Sequence, residues 1–93
     1  MSKGKDMINY ESAKRNLKAA GYRKTNEVPG MGLAHLEDWS KGNRPIISLR
    51  INGDGVIEKV EVTRRVWDSV KGVYTAEVEI VNGLKELKDM LNR

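Results

Sequence analysis

Cysteine is absent from all 93 residues. Disulfides, thiolate metal sites and cysteine nucleophiles are thereby excluded, and the absence suits a reducing compartment. Phenylalanine is missing too, and apolar residues make up only 39% of the chain. The core must therefore be small, built from Val, Ile, Leu and Met with a few Tyr and Trp. One histidine, His35, is too few to build a structural zinc site without thiolates, so neither a metal nor a cofactor is expected. No apolar run approaches the ~20 residues that span a bilayer. Residues 1–6 also lack the apolar centre of a secretory signal. The expectation is a cytoplasmic protein with no membrane partner.

Catalytic motifs are equally scarce. Gly30-Met31-Gly32 has no leading strand and no third glycine, so it is not a dinucleotide fingerprint, and no P-loop pattern occurs. The carboxylates are scattered, mostly one or two residues from a Lys or Arg, with no sign of an acid/base pair. His35 has no nucleophile motif beside it, and a loop or edge-strand histidine is the simpler reading. The chain is expected not to be an enzyme.

What is present is charge. Seventeen Lys and Arg against thirteen Asp and Glu give a net +4, compatible with nucleic acid or with an acidic protein surface. Lys14, Arg15, Lys18, Arg23 and Lys24 place five cations within eleven residues, on one helix flank and just past its end. With Arg64 and Arg65, and Lys71 if the fold brings it near, they form the candidate surface for nucleic acid or an acidic partner. Met31, Trp39, Arg44 and Trp67 form an alternative, protein-binding set, because Trp and Arg are enriched at interface hot spots. Core filling is the competing role for the large apolar residues.

The segment Arg50 to Glu61 resembles a calcium loop with one defect. Asn52, Asp54 and Glu61 fall on ligand positions 3, 5 and 12 and Gly55 on position 6, but Arg50 would set a cation beside the ion. The flanks favour a β-hairpin instead. Ile46 to Ile51 follows Pro45 and is β-branched, and Val56 to Arg65 alternates around an Asn-Gly-Asp-Gly turn.

The remaining elements follow from periodicity. A helix is expected over about Asn9 to Ala20, N-capped by Asn9 and stopped by Gly21, with Tyr10, Ala13, Leu17 and Ala20 as its apolar stripe. Val28-Pro29-Gly30-Met31 fits a type II turn, and Leu33 to Trp39 a short edge strand. Lys41-Gly42-Asn43 reads as another turn. A strand over Val73 to Val81 is expected to bury Tyr74, Ala76, Val78 and Ile80 and to expose Thr75, Glu77 and Glu79 beside Ser48, Arg50, Lys59, Glu61, Thr63 and Arg65. Such a face carries no aromatic except Trp67 at its end, which argues against base stacking on the sheet. A final helix is expected after an Asn82 cap, burying Leu84, Leu87 and Leu91.

The fold class is therefore α+β, ordered α-(β)-β-β-β-α. It is a single domain over residues 7–93 behind a tail at 1–6, an antiparallel meander with both helices on one face. This order resembles the double-stranded RNA-binding domains in topology. That family's lysine cluster opening the second helix would map near Gly83 to Lys88, where this chain has Lys85 and Lys88 with Glu86 between. Small messenger-RNA-cleaving toxins have a similar order and a histidine in a Gly-Ser-His context, from which Gly32-Leu33-Ala34-His35 departs. The leading expectation is a small binding module contacting nucleic acid, or a nucleic-acid-handling complex, through the basic helix flank. The alternative is an accessory or inhibitor protein docking through loops around Trp39 and Trp67. Nothing in the sequence selects an oligomeric state.

Overall fold

The hairpin around Asn52 organises the sheet. In the computed structural model, which describes residues 8–92, β-strands Ile46–Ile51 and Ile57–Asp68 pair antiparallel across it. The Asn52 side chain accepts the N–H groups of Asp54 (2.9 Å) and Val56 (3.1 Å), and Gly55 takes φ +78°, a conformation glycine adopts without penalty. Arg50 and Glu61 become strand residues, and the turn chemistry accounts for the likeness to a calcium loop.

The full order is α1 (Tyr10–Ala19), β1 (Arg23–Pro29), β2 (His35–Ser40), β3 (Ile46–Ile51), β4 (Ile57–Asp68), β5 (Val73–Val81) and α2 (Leu84–Leu91). The five strands form one antiparallel meander, β1-β2-β3-β4-β5. One face carries Trp39, Ile47, Leu49, Ile51, Ile57, Val60, Val62 and Val81. These pack with Ala13 and Leu17 of α1 and Leu87, Met90 and Leu91 of α2 in a single core. The protein is thus α+β with both helices on one face. The tail expected at 1–6 lies outside the described residues.

α1 behaves as its sequence demands. The Asn9 side chain accepts from the Ser12 N–H (3.0 Å), an N-cap that satisfies one of the free amides of the first turn. At the other end the Tyr22 N–H donates to the Leu17 carbonyl (2.9 Å) and the Gly21 N–H to Lys18 (3.0 Å), with Gly21 at φ +91°. This is a Schellman stop, with Leu17 and Tyr22 both buried beside it. α2 departs from expectation. Its N-cap is Gly83 at φ +115°, with no side-chain cap bond, so Asn82 lies one residue too early to serve.

Three further expectations are corrected. β1 is an additional strand, so β2 is internal rather than an edge, and five strands replace the order that resembled the RNA-binding domains. β1 is exposed along its whole length, so Arg-Lys-Thr-Asn-Glu-Val-Pro shows no apolar alternation to betray it. The turn placed at Val28–Met31 falls later, where the Ala34 N–H donates to the Met31 carbonyl (3.1 Å) and Gly32 takes φ +62°. The third correction is the facing of β5. The pairing Val60↔Val81, Val62↔Glu79 and Thr63↔Val78 turns Thr75, Glu77 and Glu79 toward the helix side and Tyr74, Ala76, Val78 and Ile80 outward. The loop at 69–72 sets this register: Asp68 accepts the N–H groups of Val70 (3.0 Å) and Lys71 (3.1 Å) on its carboxylate and that of Gly72 (2.8 Å) on its carbonyl. A shift of one residue would invert the strand, and only Val81 of β5 is buried, so the apolar alternation does not decide its facing. β4 and β5 also run on past β3, whose first residue pairs with Thr63. They form an arm that lengthens the molecule to 45 Å.

Candidate functional site

The Schellman stop reverses the chain so that the end of α1 and the start of β1 face each other. Lys14 and Lys18, one helical turn apart on the same face, line one side of a concavity of about 480 Å³, and Arg23 and Lys24 line the other, with Gly21, Tyr22 and Trp39 completing it. Lys41 extends the rim. Its Nζ donates to the Ala20 carbonyl (2.6 Å), where a cation complements the helix C-terminus, and it lies against Gly21. Lys14 is 3.8 Å from Glu11 and sits over the Tyr10 ring. Lys24 pairs with Glu27 at 2.6 Å, a contact that raises the pKa of its ammonium. Among the described residues neither Lys18 nor Arg23 makes an ion pair.

Four of the seven expected cations therefore meet in one cleft. Arg15 does not line it, and its guanidinium reaches back to Ser12 (3.4 Å). Arg64 and Arg65 are separated from it because β4 lies three strands from β1, roughly 14 Å at the usual strand spacing. They also point to opposite faces. Arg64 pairs with Glu79 on the helix side (3.2 Å), and Arg65 stands over the Tyr74 ring on the outer face (5.3 Å).

The alternative set is dispersed. Trp39 is a core residue, 1% exposed, and meets the cleft only from beneath. Trp67 is 54% exposed and packs edge-on against Tyr74, with ring centroids 5.0 Å apart. Met31 lies at the opposite end of the sheet, in the β1–β2 turn, and Arg44 in the β2–β3 turn.

Beside the cleft lies a polar cluster that no motif or spacing singles out. Glu37 is 1% exposed, an uncommon place for a carboxylate unless it is paired. It accepts hydrogen bonds from the Tyr10 hydroxyl, from His35 Nε2 (2.6 Å) and from the Trp39 indole (2.9 Å). His35 Nδ1 lies 2.8 Å from the Leu33 carbonyl. Both ring nitrogens thus lie against oxygens, an arrangement that favours the doubly protonated ring. His35 is accordingly raised above its ordinary pKa by the Leu33 carbonyl and by Glu37. Burial pushes the Glu37 carboxyl up, but the bonds from Tyr10, His35 and Trp39 outweigh it and the net direction is down. Burial and the adjacent carboxylate push the Tyr10 hydroxyl well above the usual phenol range. The cluster is an ion pair sealed by two aromatic donors, and it ties α1 to β2.

Glu27, His35 and Glu37 each offer a ligand atom within 4.8 Å of the others. A cation entering there would displace the His35 bond to Glu37 and the Lys24–Glu27 pair, and would meet Lys24 itself. The donor set fits the observed network better than a metal. No family profile, curated protein or solved structure matches this chain. The described residues form a two-layer α+β fold with a cationic groove between the end of α1 and the start of β1.

Proposed function

We propose that this protein is a small, non-enzymatic binding module that contacts nucleic acid through the cleft between the end of α1 and the start of β1. The observation that carries the reading is the convergence of Lys14, Lys18, Arg23 and Lys24 on one concavity, with Lys41 on its rim. Phosphate oxygens are the ligands that such a ring of cations favours. The buried Tyr22 hydroxyl, which has no partner among the described residues, belongs to a residue of the same cleft. The absence of catalysis is part of the proposal. Both nitrogens of His35 are engaged, by the Leu33 carbonyl and by Glu37, which leaves no free nitrogen for general-base work, and Glu37 is fully engaged. A cytoplasmic setting fits the lack of cysteine, and among the described residues no helix is long and apolar enough to cross a membrane.

The test is fluorescence anisotropy with labelled single-stranded and duplex oligonucleotides. Lys18→Glu with Arg23→Glu is expected to weaken binding roughly tenfold or more, whereas Arg64→Glu, outside the cleft, changes it little. Unchanged affinity in the double variant overturns the reading. Exposed Trp67 favours a second reading, an accessory or inhibitor protein docking through the β4–β5 arm. A folded Trp67→Ala variant that still captures its partner would count against that reading.

A further inference from the structure

The sheet has two edges, and they are built differently. β1 is blunted as edge strands usually are. It carries Arg23 and Lys24, ends in Pro29, and its register shifts between Lys24 and Asn26. β5 lacks the basic residues, the proline and the register shift, and its charges, Glu77 and Glu79, stand on the helix side only. Its nine residues contain no Lys, Arg or Pro, and its pairing with β4 is uninterrupted, so the opposite edge is a straight, regular row of backbone donors and acceptors. The side chains along it are apolar on the outer face, with Tyr74 62% and Val78 58% exposed. A row of this kind is a template for strand addition.

We infer that β5 is a self-association edge, pairing antiparallel with β5 of a second copy about a two-fold axis through Ala76. The sequence is self-complementary in this register. Tyr74 falls opposite Val78 of the other copy and Ala76 opposite its own equivalent, apolar against apolar on the outer face. On the helix side Glu77 meets Thr75 and Glu79 meets Val73. No like charges stand directly opposite, whereas an axis through Glu77 would set two carboxylates face to face. Aromatic–β-branched pairs of the Tyr74–Val78 kind are among the favourable cross-strand contacts, and the two-fold makes each twice. The result is a ten-stranded sheet with both basic clefts at its outer ends, far from the new seam. Seven paired residues on each copy cover on the order of 500 Å², less than a standard interface, so the dimer belongs to the weak, reversible class.

Absence of cysteine makes the test clean. Ala76→Cys is expected to form an interchain disulfide under mild oxidation, since antiparallel partners directly opposite lie within disulfide reach. Asn26→Cys, on the β1 edge, is expected not to. Sedimentation equilibrium of the unmodified chain should show a monomer–dimer equilibrium, and Val78→Lys should weaken it at least tenfold while circular dichroism stays unchanged. A monomer at every concentration, equal cross-linking of the two cysteine variants, or a dimer indifferent to Val78→Lys would each overturn the proposal.

Discussion

Replacing Glu37 by Leu removes the carboxylate that three donors share while keeping most of its volume. The Trp39 indole is buried, so its N–H finds no substitute acceptor, and a buried donor left unmade costs about 1–3 kcal/mol. The Tyr10 hydroxyl is half-buried and recovers part of its loss from water. At pH 5.5 His35 stays protonated and loses its counter-charge, and breaking a buried ion pair on one side costs about 3–5 kcal/mol. Because His35 is partly accessible, its share falls below that range, at about 1–2 kcal/mol, and with the indole the total comes to roughly 3 kcal/mol. A domain of this size has stability on the order of 5 kcal/mol, so the variant should fold at low temperature and lose most of its margin. The assay is urea unfolding by far-UV circular dichroism at pH 5.5. With a slope near 1–1.5 kcal/mol/M for so short a chain, the midpoint should fall by about 2 M with the slope unchanged. A loss below about 1 kcal/mol would refute the claim that Glu37 anchors α1 to β2.

His35 and Glu37 also set a pH profile. The folded pKa of His35 is raised, so its contribution is complete below the unfolded value near 6.5 and is lost as pH rises through the folded value. Glu37 is depressed, and its contribution is present above the ordinary carboxylate value and is lost as pH falls through the folded one. The urea midpoint should therefore be higher at pH 5.5 than at pH 8.5, and His35→Gln should flatten that difference; a wild-type midpoint that rises with pH contradicts the assignment. Tyr22→Phe removes a buried hydroxyl with no partner among the described residues. It should leave stability unchanged or raise it by up to about 1 kcal/mol, and a clear loss in thermal melting would show that the hydroxyl is satisfied.

Much of the architecture is written in local chemistry. Asn9, Gly21 and the Asn52-Gly53-Asp54-Gly55 turn each specify their structure within a few residues, and the alternation of Ile47, Leu49, Val60 and Val62 marks the buried face. β1 is invisible because its residues are all exposed, and it is held by backbone pairing to β2 rather than by side-chain burial. β5 misleads for a related reason. Its apolar residues line an open face beyond the helices, and the turn anchored by Asp68 fixes the register where burial cannot. The cleft is half legible: Lys14, Lys18, Arg23 and Lys24 stand out as a charge cluster, but Lys41 joins them only through the meander. The Glu37 network is longer-range still. Tyr10 reaches it from 27 residues away, and no spacing rule connects the two.

The central proposal is that the cleft between α1 and β1 is the surface that meets nucleic acid. The most direct measurement is the slope of log affinity against log salt for duplex binding, compared between the unmodified chain and Lys18→Glu with Arg23→Glu. Four phosphate contacts predict a slope of about −3.6 for the unmodified chain. Removing two of those contacts should make the slope shallower by about 1.8. Equal slopes in the two proteins, or no measurable binding by the unmodified chain at low salt, would contradict it.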